Sequence, residues 1–278
     1  MAIITQTLFA AETIPLAAQP INQIGPFVLT NSMFFGAITA VFVVLLFTLA
    51  MHRSSLWPRS KFAFAIESLT EFILNIAEEN FGSRKVAIKH LPLLLTLFTF
   101  IFVSNISGLL PGVDSIVVHT PNGTVSLFRA FTTDLNGTLS LGLLTICLVQ
   151  FYALSELGFL GHFKHYFTAK PWNPMNLFIG LIEVMGEFIR IMTLSMRLFG
   201  VIYAGEVLLT VVGSLAGNFG WAATIPIYFM EIFFSAIQAY IFVMLTTVYL
   251  SIAIRHEDAE GHDIDHPSVP EPVKVAEG

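Results

Sequence analysis

Seven polar groups of this 278-residue chain lie inside stretches that are otherwise apolar. Glu183, Glu187, Arg190, Arg197 and Glu206 fall within residues 176–213, and Glu231 and Gln238 within residues 221–254. An ionised group at bilayer depth costs at least ~2.5–3.5 kcal/mol on insertion scales, so such groups line a protein interior or a water path. The chemistry open to them is proton and ion handling. A carboxylate can take up and release a proton, whereas a guanidinium keeps its charge in a low-dielectric site where a lysine could lose it. At 100° per residue, Glu183, Glu187, Arg190 and Arg197 fall within about 80° of one another on a helix. Glu206 lies nine residues beyond Arg197 and points about 180° away. Glu231 and Gln238, seven residues apart, share one face. The alternative to a transport role is a set of satisfied ion pairs, a reading strongest for Glu183, Glu187 and Arg190 near the end of their stretch. Arg197 has no evident partner on its face, which implies an anion arriving from outside the chain.

These residues need helices to carry them, and the composition supplies little else. The chain is 55% hydrophobic and 12% charged, with 27 Phe and a mean hydropathy of +0.77. A soluble domain carries about twice that charged fraction. Five stretches meet the roughly 18-residue apolar length of a spanning helix: residues 27–51, 91–113, 135–157, 176–213 and 221–254. The expected fold is therefore all-α, a polytopic membrane protein with five transmembrane helices. The second span ends at the breaker Leu109-Leu110-Pro111-Gly112, and the third is interrupted only by Glu156 near its end. The last two, at 38 and 34 residues, would reach about 57 and 51 Å against a hydrocarbon core of about 30 Å. Each must lie steeply aslant or break in two. Gly186, Gly200 and Gly205 make breaks possible, but a clean five-crossing topology favours the oblique form.

Between the first two spans, residues 62–80 place Ile66, Leu69, Ile73 and Ile76 on one helical face, with Glu67, Glu71 and Glu78 on another. This is an amphipathic helix at the inner surface, lying on lipid or packed against the bundle. Basic residues set the orientation. Arg53, Arg59, Lys61, Arg84, Lys85, Lys89, Lys164, Lys170, Arg255 and Lys274 fall on one side, and only Arg129 on the other. That bias puts residues 1–26 outside, residues 27–254 in the membrane and residues 255–278 inside. The tail holds two basic and seven acidic residues, so −5 of the net charge of −6 resides there. Its prolines, Pro267, Pro270 and Pro272, together with its acids mark it as disordered. Without a basic cluster, nucleic acid is not an expected partner. The single Cys147 excludes a disulfide framework.

The stretch "LSMRLFGVIYAGEVLL" resembles the signature of F-type ATP synthase subunit a, and "EIFFSAIQAYIFVMLTTVYL" resembles that family's last helix. "NISGLLPG" and "DLNGTLSLGL" resemble the motifs around its second and third spans. The resemblance runs in order from residue 27 to residue 254. It implies that Arg197 is the essential arginine, Glu206 the buried acid that follows it and Gln238 the glutamine of the last helix. Glu231, Asn105, Asp134 and Asn136 would join Glu206 on an outer proton path, and Glu183 and Glu187 would stand at an inner mouth. It further implies a c-ring with one carboxylate per subunit, peripheral-stalk b subunits, a lipid bilayer, and no cofactor, metal or catalytic residue. The "AGE" version of the motif is closer to bacterial inner-membrane members than to mitochondrial ones. Two departures stand out. Val201 occupies a position that is commonly Asn, and Glu206 and Glu231 are both acids where many members pair an acid with a histidine.

The rival readings are a secondary ion-coupled transporter and an intramembrane hydrolase. The first would show inverted repeats or broken helices, and neither is evident. The second lacks H-E-x-x-H, G-x-S-x-G and any phosphate-binding loop. No Cys/His spacing marks a zinc site, and His256, His262 and His266 read as part of a solvated tail.

Overall fold

The computed structural model describes residues 18–24, 27–53, 61–110, 113, 116–120, 123–157 and 174–261. Residues 1–17, Arg59, the loop bearing Lys164 and Lys170, and the tail beyond Gly261 lie outside the described residues. Among those described, six α-helices follow one another: α1 (Asn31–Arg53), α2 (Lys61–Phe81), α3 (Arg84–Gly108), α4 (Leu135–Leu157), α5 (Pro174–Leu215) and α6 (Gly220–Gly261). All but α2 contain a segment long and apolar enough to cross a membrane. The expected class, all-α with five spans, holds.

Two antiparallel hairpins were not anticipated. Strand β1 (Pro20–Ile24) pairs with β2 (Phe27–Thr30), and β3 (Val117–Thr120) pairs with β4 (Gly123–Ser126). The first span therefore begins at Asn31 rather than at residue 27, because Phe27–Thr30 finds its backbone partners in a strand. Asn31, 2% exposed, ties the two hairpins together. Its Nδ2 donates to the Ser126 carbonyl at 3.1 Å, and its Oδ1 accepts from the Gln19 amide at 3.1 Å. The hairpins sit at the end of the bundle opposite α2, called here the hairpin end.

The turns explain how neighbouring helices come to lie side by side. Gly82, with φ +69°, closes α2 by donating its amide to the Glu78 carbonyl at 2.8 Å. That left-handed conformation carries no Cβ penalty in glycine. Gly217, with φ +53°, supplies a second left-handed residue in the turn between α5 and α6. There Gly220 lies so close under α5 that an added Cβ would come within 2.6 Å of the Gly213 carbonyl oxygen. The two longest helices are thus forced into a tight antiparallel pair.

Helix α3 starts at Arg84 and ends at Gly108, immediately before the breaker. Both α5 and α6 run unbroken for 42 residues. Their apolar segments, Gly180–Leu215 and Gly220–Ile254, are each about 52 Å or more long, and fit a ~30 Å core only when inclined. The oblique form is the one the chain adopts. One expectation needs correction: α6 continues to Gly261, so residues 255–261 are helical rather than part of an irregular tail. No proline lies between Ile254 and Pro267 to end the helix sooner.

The amphipathic segment packs on the bundle. Ile73, Leu74 and Ala77 of α2 join Leu94 and Ile101 of α3, Leu194 and Leu198 of α5, and Phe242 of α6 in one buried cluster. Between spanning helices lipid is as apolar as leucine, so close van der Waals packing of small residues has to hold the bundle. Gly142 and Gly205 mark such points. A Cβ on Gly142 of α4 would collide with the Ser195 hydroxyl of α5.

Candidate functional site

Helices α5 and α6 bear the polar groups, but they are packed differently. Only 22% of the apolar window of α5 is buried, against 44% for α6. Helix α6 is an interior element and α5 presents a long open face. Arg197 lies near the middle of α5 on that face. It is exposed, and among the described residues it makes no ion pair and no hydrogen bond. Gly186, Thr193, Gly200 and Ala204 are exposed as well and share the stripe, lying within about 60° of Arg197 at 100° per residue. A Cβ added at Gly186 or Gly200 would meet nothing within 4 Å. The guanidinium therefore stands on a surface that another helix backbone can approach closely.

Glu206 points the other way, as its nine-residue offset requires. It lines a cavity of about 310 Å³ with Asn105 of α3, Thr133, Thr210 of α5, and Thr224 and Tyr228 of α6. The cavity opens among the ends of α3, α5 and α6, so it belongs to the hairpin end. Glu231, 3% exposed, reaches α5 from α6 and seats its carboxyl against the bare Cα of Gly205, where any Cβ would overlap it. Because Gly205 and Glu206 are consecutive, this contact brings the two acids to one level of the bundle. Ser235 and Gln238 continue the Glu231 face one and two turns on, at 0% and 3% exposure.

The electrostatic character of this column follows from its unmet hydrogen bonds. Among the described residues, Asn105 Oδ1 and Nδ2, Glu231 Oε2, Ser235 Oγ and Gln238 Nε2 are buried and have no hydrogen-bond partner. Each such atom costs about 1–3 kcal/mol when left unsatisfied. Five of them in one region make a buried polar column with unmet hydrogen-bonding capacity.

The remaining sequence candidates separate. Asp134 is the N-cap of α4: its Oδ1 accepts from the Asn136 amide at 3.3 Å. Asp134 is buried, Asn136 is exposed, and neither lines the Glu206 cavity. Toward the α2 end, Glu187 Oε1 accepts from Arg190 at 2.6 Å, with both side chains about three-quarters covered. The Arg190 guanidinium carbon sits 4.2 Å above the Tyr249 ring. This is the ion pair raised as the alternative for that region, though Glu187 Oε2 is buried without a hydrogen-bond partner among the described residues. Glu183 belongs to the backbone of α5, and its side chain lies outside the described residues.

Sequence reasoning passed over three residues. Tyr228 and Thr133 line the cavity, but single hydroxyl side chains carry no spacing signal. Arg129 counted only as the lone basic residue of its side, yet it is 5% exposed. Its Nε donates to Thr133 Oγ1 at 3.2 Å and its Nη2 to the Thr133 carbonyl at 3.1 Å. No group of three or more His, Cys, Asp or Glu able to hold a metal occurs among the described residues.

Comparison with known proteins identifies the family. Residues 33–251 match the family described as ATP synthase A chain. The chain is 36% identical over 201 residues to ATP synthase subunit a of Enterococcus hirae, covering 70% of this chain and 79% of the relative. It is 33% identical over 236 residues to ATP synthase subunit a 1 of Photobacterium profundum, covering 82% and 87%. With ATP synthase subunit a of Enterococcus faecalis it shares 33% over 244 residues, covering 85% and 97%. The protein, with an exposed arginine on α5 and a buried acid on α6, belongs to the ATP synthase A chain family.

Proposed function

We propose that Arg197 separates two offset half-channels through which this chain, the proton-translocating stator subunit of an F-type ATP synthase, carries protons to and from a rotating c-ring. The observation that carries the reading is the position of Arg197: charged, unpaired among the described residues, and flanked by glycines that clear its face. A cation at bilayer depth needs an anion, and the open side of α5 leaves room for one borne by another helix. A ring carboxylate turning past would meet Arg197 only while deprotonated. The permanent charge of arginine then blocks direct passage between the half-channels.

The outer half-channel runs through the cavity of Glu206 and Asn105 and along the column of Glu231 and Gln238. Asp134 and Asn136 stand near its entrance, Asp134 through its helix cap. Two neighbouring acids that cannot both ionise exchange a proton readily, which replaces the acid–histidine pairing of many members. Glu183 and Glu187 belong to the inner half-channel, where Arg190 and Tyr249 hold Glu187 in place. The hairpin end faces outward and α2 faces the cytoplasm of a bacterial cell, with residues 27–254 forming the membrane unit and residues beyond it an inner tail. The subunit makes no bond in ATP itself. Peripheral-stalk b subunits hold it against the torque of the ring.

The deciding experiment is Arg197→Ala in the intact complex. ATP-driven proton pumping is expected to vanish while the ring still co-purifies with the stator. Normal coupled pumping in that variant would remove the basis for the role.

A further inference from the structure

Arg129 is the buried charge that the proton path as described does not use. A guanidinium 5% exposed at the hairpin end of a membrane bundle is costly to keep unless its donors are well placed. Two of them are placed on one residue. Nε donates to the Thr133 hydroxyl at 3.2 Å and Nη2 to the Thr133 carbonyl at 3.1 Å. The same hydroxyl donates on to the Ala130 carbonyl at 3.0 Å. Ala130 and Thr133 both line the cavity into which Glu206 and Asn105 project. The planar fork of arginine thus grips the last residue of the short 3₁₀ turn Phe131–Thr133, which forms part of one wall of the cavity.

The turn also packs among α1, α3, α4 and α5. Its own hydrogen bonds are the amide of Thr133 to the carbonyl of Ala130 at 3.2 Å and the side-chain contacts just named. The turn is wedged through Phe131, which fills the space where Gly36 of α1 and Gly137 of α4 would carry side chains. Packing holds Phe131, and the two bonds from Arg129 tie Thr133 to the chain before the turn.

From this geometry we infer that Arg129 is a positioning residue of the outer proton path, clamping Thr133 so that the cavity wall opposite Glu206 keeps its shape and its hydroxyl. The inference rests on the outer half-channel reading above. The ionisable groups facing this region are Glu206 of α5, Glu231 and Tyr228 of α6, Asp134 of the α4 cap and Arg129 itself. Proton entry is the step that depends on their spacing. Exit at the α2 end does not involve them.

The test uses the purified holoenzyme reconstituted in liposomes, with ATP synthesis driven by acid–base jumps in which outer-side and inner-side pH are varied separately. Arg129→Gln should lower the synthesis rate per assembled complex by about tenfold or more, the scale of a lost hydrogen bond to a charged group. Its half-maximal rate should move to a more acidic outer pH, while the dependence on inner pH stays as in the parent enzyme. Arg129→Lys should share the defect, because an ammonium keeps the charge but cannot make the two-point grip. Should Arg129→Gln fail to assemble, Thr133→Val decides, since it removes the gripped hydroxyl and leaves the arginine; the same outer-side shift is expected. An unchanged outer-side profile in assembled Arg129→Gln or Thr133→Val, or parental behaviour of Arg129→Lys, overturns the inference. Glu206→Gln separates the two levels. If it leaves synthesis intact, the outer-path reading itself fails; if it abolishes synthesis while Arg129→Gln does not alter the outer-side profile, only the clamp fails.

Discussion

At the scale of single residues, the site is organised by contrasts along one helix. Arg197 and Glu206 share α5 but serve opposite faces, so a cation meets whatever lies outside the chain while a carboxylate meets the cavity within. The contact of Glu231 with Gly205 is the tightest constraint on this arrangement. A methyl group at position 205 would occupy the place of the Glu231 carboxyl, and overpacking of that kind costs about 1–3 kcal/mol. Gly205→Ala should therefore still give an assembled complex, but with Glu231 displaced from Glu206 and proton-driven synthesis lowered about tenfold or more. Synthesis rate per assembled complex, compared with the amount of ring co-purified, measures this directly. A parental rate would mean that the position of Glu231 is not critical.

At the scale of elements, α5 and α6 divide the labour through their burial. Helix α6 is an interior strut whose Phe242 is fully buried in the cluster with Leu194 and Leu198. Phe242→Ala should cost about 3–5 kcal/mol of subunit stability, seen as a lower denaturation temperature of the detergent-solubilised complex. The open face of α5 should respond in the opposite way. Gly200 has free space around it, so Gly200→Leu fits the subunit alone without strain. In the proposed reading, though, it bars a second helix from approaching Arg197. The expected result is an unchanged melting temperature of the subunit together with loss of the co-purified ring. Retention of the ring with full pumping would show that this face is covered by lipid instead.

At the scale of the whole molecule, the bundle has two distinct ends. One carries both hairpins, the α5–α6 turn and the Glu206 cavity; the other carries α2 with its exposed acids. The proposed orientation rests on the distribution of basic residues and can be measured by thiol labelling. In a Cys147→Ser background, Val28→Cys at the hairpin end should react with a membrane-impermeant reagent added outside. Glu79→Cys on α2 should react only from the cytoplasmic side. The reverse pattern would invert the half-channels and with them the direction of the proposed path. Large apolar side chains such as Val41, Val44, Leu143 and Phe151 are exposed on α1 and α4, which in a bilayer is the side turned to lipid.

The sequence by itself determined the class, the number of spans and the residues worth examining. Apolar length is a local property, and a charge within it is conspicuous wherever the helix packs. Helical phase alone sent Arg197 and Glu206 to opposite faces, and the amphipathic pattern of residues 62–80 marked α2 before its contacts were known. Span limits slipped where backbone partners came from outside the segment, as at Phe27–Thr30, or where nothing local ended the helix, as at residues 255–261. Tertiary structure alone decided which polar groups meet. Glu231 finds Gly205 because a glycine-tight turn folds α6 back on α5. Asp134 is a helix cap, Glu187 is paired with Arg190, and Arg129, a loop charge by sequence, is a buried clamp on Thr133. Contacts of this kind depend on the rotation and crossing of helices distant in the chain, which are set by side-chain packing and leave no periodic trace in the residues themselves.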